Sequence, residues 1–119
     1  MNSPALNSLA DFLEHARTAE RVDPVTIATR LSWTLSQLQG AMPNELDLES
    51  ASGQALLHQL TKVLDAAYTL SNDESRTIDW LVVQPLKAFG PKTPLQLVVA
   101  GESAAVIDYL KSIESGASG

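Results

Sequence analysis

Apolar residues recur at intervals of three and four along most of the chain, the spacing that places them on one face of an α-helix. The clearest run is Leu57, Leu60, Leu64 and Ala67. No stretch alternates between apolar and polar positions for long enough to indicate a β-strand. Residues 95–100 are ambiguous in composition, but a Thr-Pro pair precedes them and favours a helix. The pattern therefore predicts an all-α fold.

Helix starts are marked by a capping side chain followed by proline, whose missing N–H group costs nothing in the first turn. Three such pairs occur, at Ser3-Pro4, Asp23-Pro24 and Thr93-Pro94. The polar triplet at 71–73 should stop one helix and cap the next, which Pro85 should end. The first helix, begun at Ser3, would use Leu6, Leu9 and Leu13 on its apolar face.

The last predicted helix carries Val106, Leu110 and Ile113 at helical spacing. These three residues are expected to hold the helix against the core. Gly116 should end it, because glycine readily adopts the left-handed conformation that follows a helix.

The chain divides into two predicted parts. Residues 23–41 resemble two short helices joined by a tight turn, about the size of a helix-turn-helix. Residues 42–53 contain proline, asparagine and glycine, which favours a linker. We therefore expect a helix-turn-helix-like region at 1–50 and a second helical domain at 51–119.

The composition narrows the classes of function. The chain has 8 basic and 14 acidic residues, a formal net charge of −6 and no cysteine, so thiol catalysis and disulfides are excluded. The N-terminus lacks the basic-then-apolar order of a signal peptide. No apolar run approaches the roughly 20 residues that cross a bilayer. We expect a cytoplasmic protein.

Catalytic and metal-binding motifs are not found. His15 and His58 fall in different predicted helices, and a metal site needs three or four converging ligands. No nucleophile motif or phosphate-binding loop is present in the sequence. The sequence thus predicts a protein that is not an enzyme and that has neither a metal nor a cofactor.

DNA binding by the helix-turn-helix-like region is one candidate function. Glutamine side chains can read adenine edges, and a nearby cation can contact phosphate. The candidate DNA-binding residues are Arg30, Thr34, Ser36, Gln37 and Gln39. Because residues 31–44 carry no charge, and phosphate neutralisation supplies much of the affinity for DNA, we expect any such binding to be weak.

The C-terminal third resembles the toxin-binding domain of the Xre/MbcA/ParS-type antitoxins, with about 40 residues matching without a gap. The matching positions are Trp80-Leu81, Pro85, Phe89-Gly90, Thr93-Pro94-Leu95, Gly101, Val106, Leu110, Ile113 and Gly116. Pro91 stands where the family usually has the second of two glycines.

This resemblance implies an antitoxin of a type II toxin–antitoxin system. Such antitoxins pair with RES-type toxins, which consume NAD, and cover the entrance to the toxin's active site. We expect the toxin to meet the last helix and the loop around Gly90. The candidate toxin-binding residues are Phe89, Gly90, Lys92, Tyr109, Lys111, Ser112, Glu114 and Ser115. The aromatic residues among them could instead belong to the core.

The alternative function is that of a DNA-binding transcriptional regulator, which could repress its own operon. Both functions could coexist, because antitoxins of this kind often act as repressors as well. The resemblance, together with the short helices and several aliphatic faces, also predicts a homo-oligomer, most simply a twofold dimer.

Overall fold

The computed structural model describes residues 8–114. Within this range the chain forms α-helices and short 3-10 turns and has no strand, which confirms the predicted all-α fold. The helices are α1 Leu9–Thr18, α2 Pro24–Arg30, α3 Leu35–Ala41, α4 Ala51–Ser71, α5 Glu74–Val83, α6 Pro94–Val99 and α7 Ser103–Glu114. The 3-10 turns are Pro43–Glu45, before α4, and Lys87–Phe89, before α6.

The capping residues begin and end these helices where the sequence predicts. The side chain of Asp23 accepts a hydrogen bond from the N–H group of Val25 at the start of α2. Thr93 and Gln96 form a reciprocal capping box at the start of α6. Asn72 ends α4 in the left-handed conformation, with φ of 54°. Each cap satisfies backbone groups that a helix end leaves unpaired.

The first helix begins at Leu9. Ser8 is its N-cap, and the Ser8 hydroxyl accepts a hydrogen bond of 3.1 Å from the N–H group of Asp11. The expected start at Ser3, with Leu6 on the apolar face, lies outside the described residues, as does the expected end of the last helix at Gly116.

Helix α4 is the central element of the fold. Its residues Leu57, Leu60, Val63 and Leu64 are almost completely buried. Helices α1, α5, α6 and α7 all pack against it. Burying one large aliphatic side chain contributes about 1.5–3 kcal/mol, so this row of residues supplies much of the stability of the core.

The core is one cluster to which both halves of the chain contribute. Leu9 of α1, Ile27 of α2 and Leu38 of α3 are fully buried. Leu81 of α5 and Val106 of α7 are buried in the same cluster. The proposed division after residue 50 falls at Ser50, the N-cap of α4.

The linker expected at residues 42–53 is a packed segment. Met42 and Leu48 are buried in the core, and α4 already begins at Ala51. The helix starts this early because the Ser50 hydroxyl accepts a hydrogen bond of 3.0 Å from the N–H group of Gly53. Its polar composition suggested a loop, but two apolar residues and a serine cap attach the segment to α4.

The side chain of Gln54 fixes this segment against the N-terminal part of the chain. Its amide oxygen accepts a hydrogen bond from the N–H group of Val22 at 2.7 Å. Its amide nitrogen donates to the carbonyl oxygens of Val22 and Leu48, at 2.8 and 2.9 Å. One side chain on α4 thereby holds two separate backbone segments in place.

Replacing Gly53 with alanine should lower the free energy of unfolding. A Cβ atom at this position would lie 2.1 Å from the carbonyl oxygen of Asp47 and 2.7 Å from the Cα atom of Leu48. Both are backbone atoms, so relief requires the segment to move away from α4. We expect a loss of about 1–3 kcal/mol, the usual cost of overpacking, measured by urea unfolding.

Gly40→Ala is the matched control. Gly40 lies in α3, and a Cβ atom there would have no atom within 4 Å. Alanine has the higher helix propensity, so this variant should keep or raise the stability by up to about 1 kcal/mol. Equal stabilities of Gly53→Ala and the wild type would contradict the close contact at Gly53.

Candidate functional site

The loop around Gly90 is closed by backbone hydrogen bonds. The N–H group of the buried Leu86 donates to the carbonyl oxygen of Lys92 at 3.0 Å, and the N–H group of Phe89 donates to Leu86 at 2.8 Å. Gly90 has φ of 83°, a conformation that favours glycine. Pro91 follows it, so the left-handed conformation is supplied by Gly90 and is not required of the proline.

This loop contacts the last helix through a pair of aromatic rings. The ring centroids of Phe89 and Tyr109 lie 6.3 Å apart, with the planes at 72°, an edge-to-face arrangement. Both side chains pack against the core and both remain half-exposed. Each of these residues therefore belongs partly to the core and partly to the surface. One side of each ring packs against the core, and the other side is accessible to solvent.

Ile113 is not buried against the core as the sequence predicts. It is 37% exposed, whereas Val106 and Leu110 on the same helix are buried. Ile113 instead lines a cleft of about 310 Å³ together with Leu70 of α4 and Trp80 of α5.

The cleft and the aromatic pair are neighbours on one surface. Tyr109 and Ile113 are four residues apart on α7, so they occupy adjacent turns of the same face. We call the five side chains the apolar strip: Phe89, Tyr109, Ile113, Trp80 and Leu70. Contiguous apolar surface of this kind is typical of protein-binding sites.

The remaining predicted toxin-binding residues lie around this strip. Lys111 and Glu114 are exposed and line a second cleft, on the other flank of Leu110. The Ser112 hydroxyl donates to the carbonyl oxygen of Tyr109 at 2.7 Å. Ser115 lies outside the described residues. The structure thus brings together Phe89 and Tyr109, and it places Lys111 and Glu114 on a different flank of the same helix.

The sequence analysis missed Leu70, Trp80 and Val83 as candidate contact residues. Leu70 is 37% and Val83 is 58% exposed. A signal existed in residues 78–83, where five of six positions are large and apolar. A surface helix of this length buries one face, and in α5 Leu81 alone of these five is fully buried. The excess of apolar residues leaves apolar side chains of α5, Val83 above all, exposed at the surface.

The candidate DNA-binding cation is bound inside the molecule. An Nη1 atom of Arg30 lies 3.3 Å from a carboxylate oxygen of Glu74, and the Arg30 side chain is 18% exposed. The other oxygen of Glu74 accepts a hydrogen bond of 3.0 Å from the N–H group of Leu9. Arg30 and Glu74 therefore connect α2 and α5, close to the start of α1.

Three of the polar DNA-binding candidates also make local contacts. Thr34 and Gln37 form the capping box of α3, with bonds of 3.1 and 2.8 Å. The side-chain amide of Gln39 donates to the carbonyl oxygen of Leu46. Ser36 is exposed on α3. Helices α2 and α3 pack against each other, and a DNA-binding role for the pair stays a prediction.

Two further arginines are held by carboxylates at the surface. A two-pronged contact with Asp65, 2.6 and 2.9 Å long, joins Arg17 on α1 to α4, and Arg21 makes a similar contact with Glu49. These hydrogen bonds, with the attraction of the opposite charges, raise the pKa of both guanidinium groups above its usual value. Both pairs therefore act as connections between segments.

The histidines lie apart from any group of acids. His58 on α4 bonds the carbonyl oxygen of Glu20 at 3.1 Å through its ring Nε2 atom, and His15 is exposed on α1. Among residues 8–114, no three histidine, aspartate or glutamate side chains are arranged to hold a metal ion. No helix in this range is long and apolar enough to cross a membrane.

We compared the chain with protein-family models, with curated protein sequences and with solved structures, and none of the three comparisons gives a match.

We expect the isolated protein to bind its own promoter no more tightly than micromolar at about 0.15 M salt. Arg30 is neutralised by Glu74, and three of the polar candidates are engaged in the fold, so little remains to contact phosphates. Fluorescence anisotropy with a labelled promoter duplex measures this. A Glu74→Gln variant, which removes the negative charge next to Arg30, is the comparison. Nanomolar binding by the wild type would contradict the prediction.

Proposed function

We propose that this protein is a type II antitoxin that neutralises a RES-type, NAD-consuming toxin by covering the entrance to its active site. The observation that carries the proposal is the contact between Phe89 and Tyr109. It joins the last helix and the Gly90 loop, the two segments that we expect to meet the toxin, into one accessible surface.

The apolar strip has the properties of a binding hot spot. Tyrosine and tryptophan are enriched at the centres of interfaces, where a few anchors contribute most of the affinity. Here Tyr109 and Trp80 are half-exposed, and Ile113 and Leu70 lie beside them in the cleft. A partner that covers this surface removes these apolar side chains from water, which favours binding. The strip does not have to rearrange for this.

The inhibition requires no chemistry from this chain. A rigid surface that occupies the mouth of the toxin's active site blocks the access of NAD, so the reactive groups all belong to the partner. Trp80, Phe89 and Tyr109 of the strip pack against the buried core, which supplies that rigidity. Binding then loses little conformational entropy, which favours affinity.

Transcriptional regulation through DNA binding is the alternative function, and none of the contacts described above favours it. Thr34 and Gln37 are used in the capping box of α3, Gln39 bonds the carbonyl oxygen of Leu46, and Arg30 is paired with Glu74. The alternative stays a prediction, which the promoter-binding measurement above tests.

Changing Ile113 to aspartate should abolish toxin binding while the fold is retained. Ile113 is part of the apolar strip but is exposed enough to accept a polar residue. We expect the Kd for the toxin encoded beside the gene to rise at least about 30-fold, equivalent to about 2 kcal/mol. Calorimetric titration measures the affinity, and growth rescue of cells that express the toxin measures the neutralisation.

Leu35→Asp is the matched control, because Leu35 is an exposed leucine on α3, outside the strip. It should bind and rescue like the wild type. Phe89→Ala should weaken binding as Ile113→Asp does, and circular dichroism should show native helix content for all three variants. Full rescue by both strip variants would place the inhibitory contact on another surface.

We also propose that the chain self-associates in solution. Support comes from the large apolar side chains that remain exposed on the single chain, among them Val25 on α2 and Val83 on α5. Light scattering at micromolar concentration should give at least twice the 12.7 kDa mass of one chain. A mass of one chain would contradict self-association and would leave the toxin proposal unaffected.

A further inference from the structure

Three arginines of the N-terminal third and two lysines of the Gly90 loop differ in whether their charges are paired. Arg17, Arg21 and Arg30, all in the N-terminal third, each form an ion pair with a carboxylate. Lys87 and Lys92, in the loop around Gly90, are exposed and form no ion pair with any carboxylate among residues 8–114. The arginines contribute to internal contacts, whereas the charges of the two lysines face the solvent.

The surroundings of these two lysines are unusual for such an acidic chain. Residues 80–101 contain no aspartate or glutamate, although the whole chain has 14. The nearest acids along the sequence are Asp79 and Glu102, just outside this stretch. The loop is therefore a locally positive segment on a protein whose net charge is −6.

The fold holds both lysines next to the apolar strip. The backbone hydrogen bond between Leu86 and Lys92 closes the loop, and Lys87 follows Leu86 directly. Phe89 lies between the two lysines in the sequence and contacts Tyr109. One short loop thus carries an aromatic anchor and two unpaired cations, the side chains that a hot spot with a charged rim combines.

The charged residues of α7 do not pair with the lysines of the loop. Asp108, Lys111 and Glu114 are exposed on α7 and are ion-paired with neither lysine. On α5, Arg76 lines the cleft beside Trp80. No carboxylate lines that cleft.

We propose that the face of the partner protein that receives the Gly90 loop is acidic, with carboxylates placed around an apolar pocket. Lys87 and Lys92 guide the approach of the partner, and Phe89 and Tyr109 supply the contact that holds it. This inference rests on the proposed function, since the partner is the toxin. Complementary rim charges act mainly on the rate of association and on the choice of partner.

The test measures binding of the RES-domain toxin encoded beside the gene to full-length single variants, at about 0.05 M and about 0.5 M salt. Lys87→Glu and Lys92→Glu should each weaken binding roughly 3–10-fold at the lower salt, mainly through slower association. The difference from the wild type should shrink at the higher salt, because screening shortens the range of charge interactions. Lys87→Arg and Lys92→Arg should bind like the wild type.

Lys62→Glu is the matched control. Lys62 is an exposed lysine on α4, near α1, with no ion pair among the described residues, and its reversal changes the net charge by the same amount. It should change the affinity less than about twofold. If the two loop variants equal this control at both salt concentrations, while the wild type still binds the toxin and Ile113→Asp does not, the acidic partner face is wrong and the proposed function stands.

Two other outcomes overturn the inference in distinguishable ways. Failure of the wild type to bind the toxin at either salt concentration contradicts the proposed function, and the inference with it. If the loop variants bind the toxin as the control does but lose binding to a promoter duplex, the lysines serve a nucleic acid and not a protein.

Discussion

The burial of α4 on several sides is the constraint on which the other helices depend. A helix with apolar residues around most of its circumference is stable only when neighbours cover it from several directions. In this chain α1, α5, α6 and α7 provide that cover. Gly53 allows the preceding segment to approach the first turn of α4 as well, since no side chain separates it from the carbonyl oxygen of Asp47. Each of these four helices is thus placed by what it covers on α4.

The same arrangement explains why apolar side chains remain at the surface. Helices α5 and α7 both pack against α4, and side chains of all three helices line the cleft near the C-terminal end of α4. Leu70, Trp80 and Ile113 therefore meet in a cleft that no described segment fills. Leu57 and Leu64 of α4 are completely covered, whereas these three side chains at the cleft are only partly covered. A partner can bury the apolar surface that remains exposed there.

The positive charges of the N-terminal third are paired, whereas those of the Gly90 loop form no ion pair among residues 8–114. The ion pairs of Arg17, Arg21 and Arg30 connect segments of the N-terminal third to one another and to α4 and α5. The exposed pairs of Arg17 and Arg21 contribute little to stability. The less exposed pair of Arg30 with Glu74 occupies the cation that could have contacted DNA. The lysines of the Gly90 loop keep their charge unpaired beside the incompletely packed edge. The N-terminal cations thus serve internal contacts, and the loop lysines are available to a partner.

The sequence by itself determined the helices and most of their ends. Helical spacing and side-chain caps such as Asp23, Thr34 and Thr93 are local signals, and each acts within a few residues of the backbone that it affects. What the tertiary structure decided depends on contacts between distant positions. The segment at 42–53 is packed because Gln54 and Gly53 attach it to α4. Ile113 is 37% exposed although Val106 and Leu110 on the same helix are buried, and Arg30 is paired with Glu74, 44 residues away. The spacing of apolar residues indicates which face of a helix is apolar. Which of these residues are covered depends on the positions of the neighbouring helices.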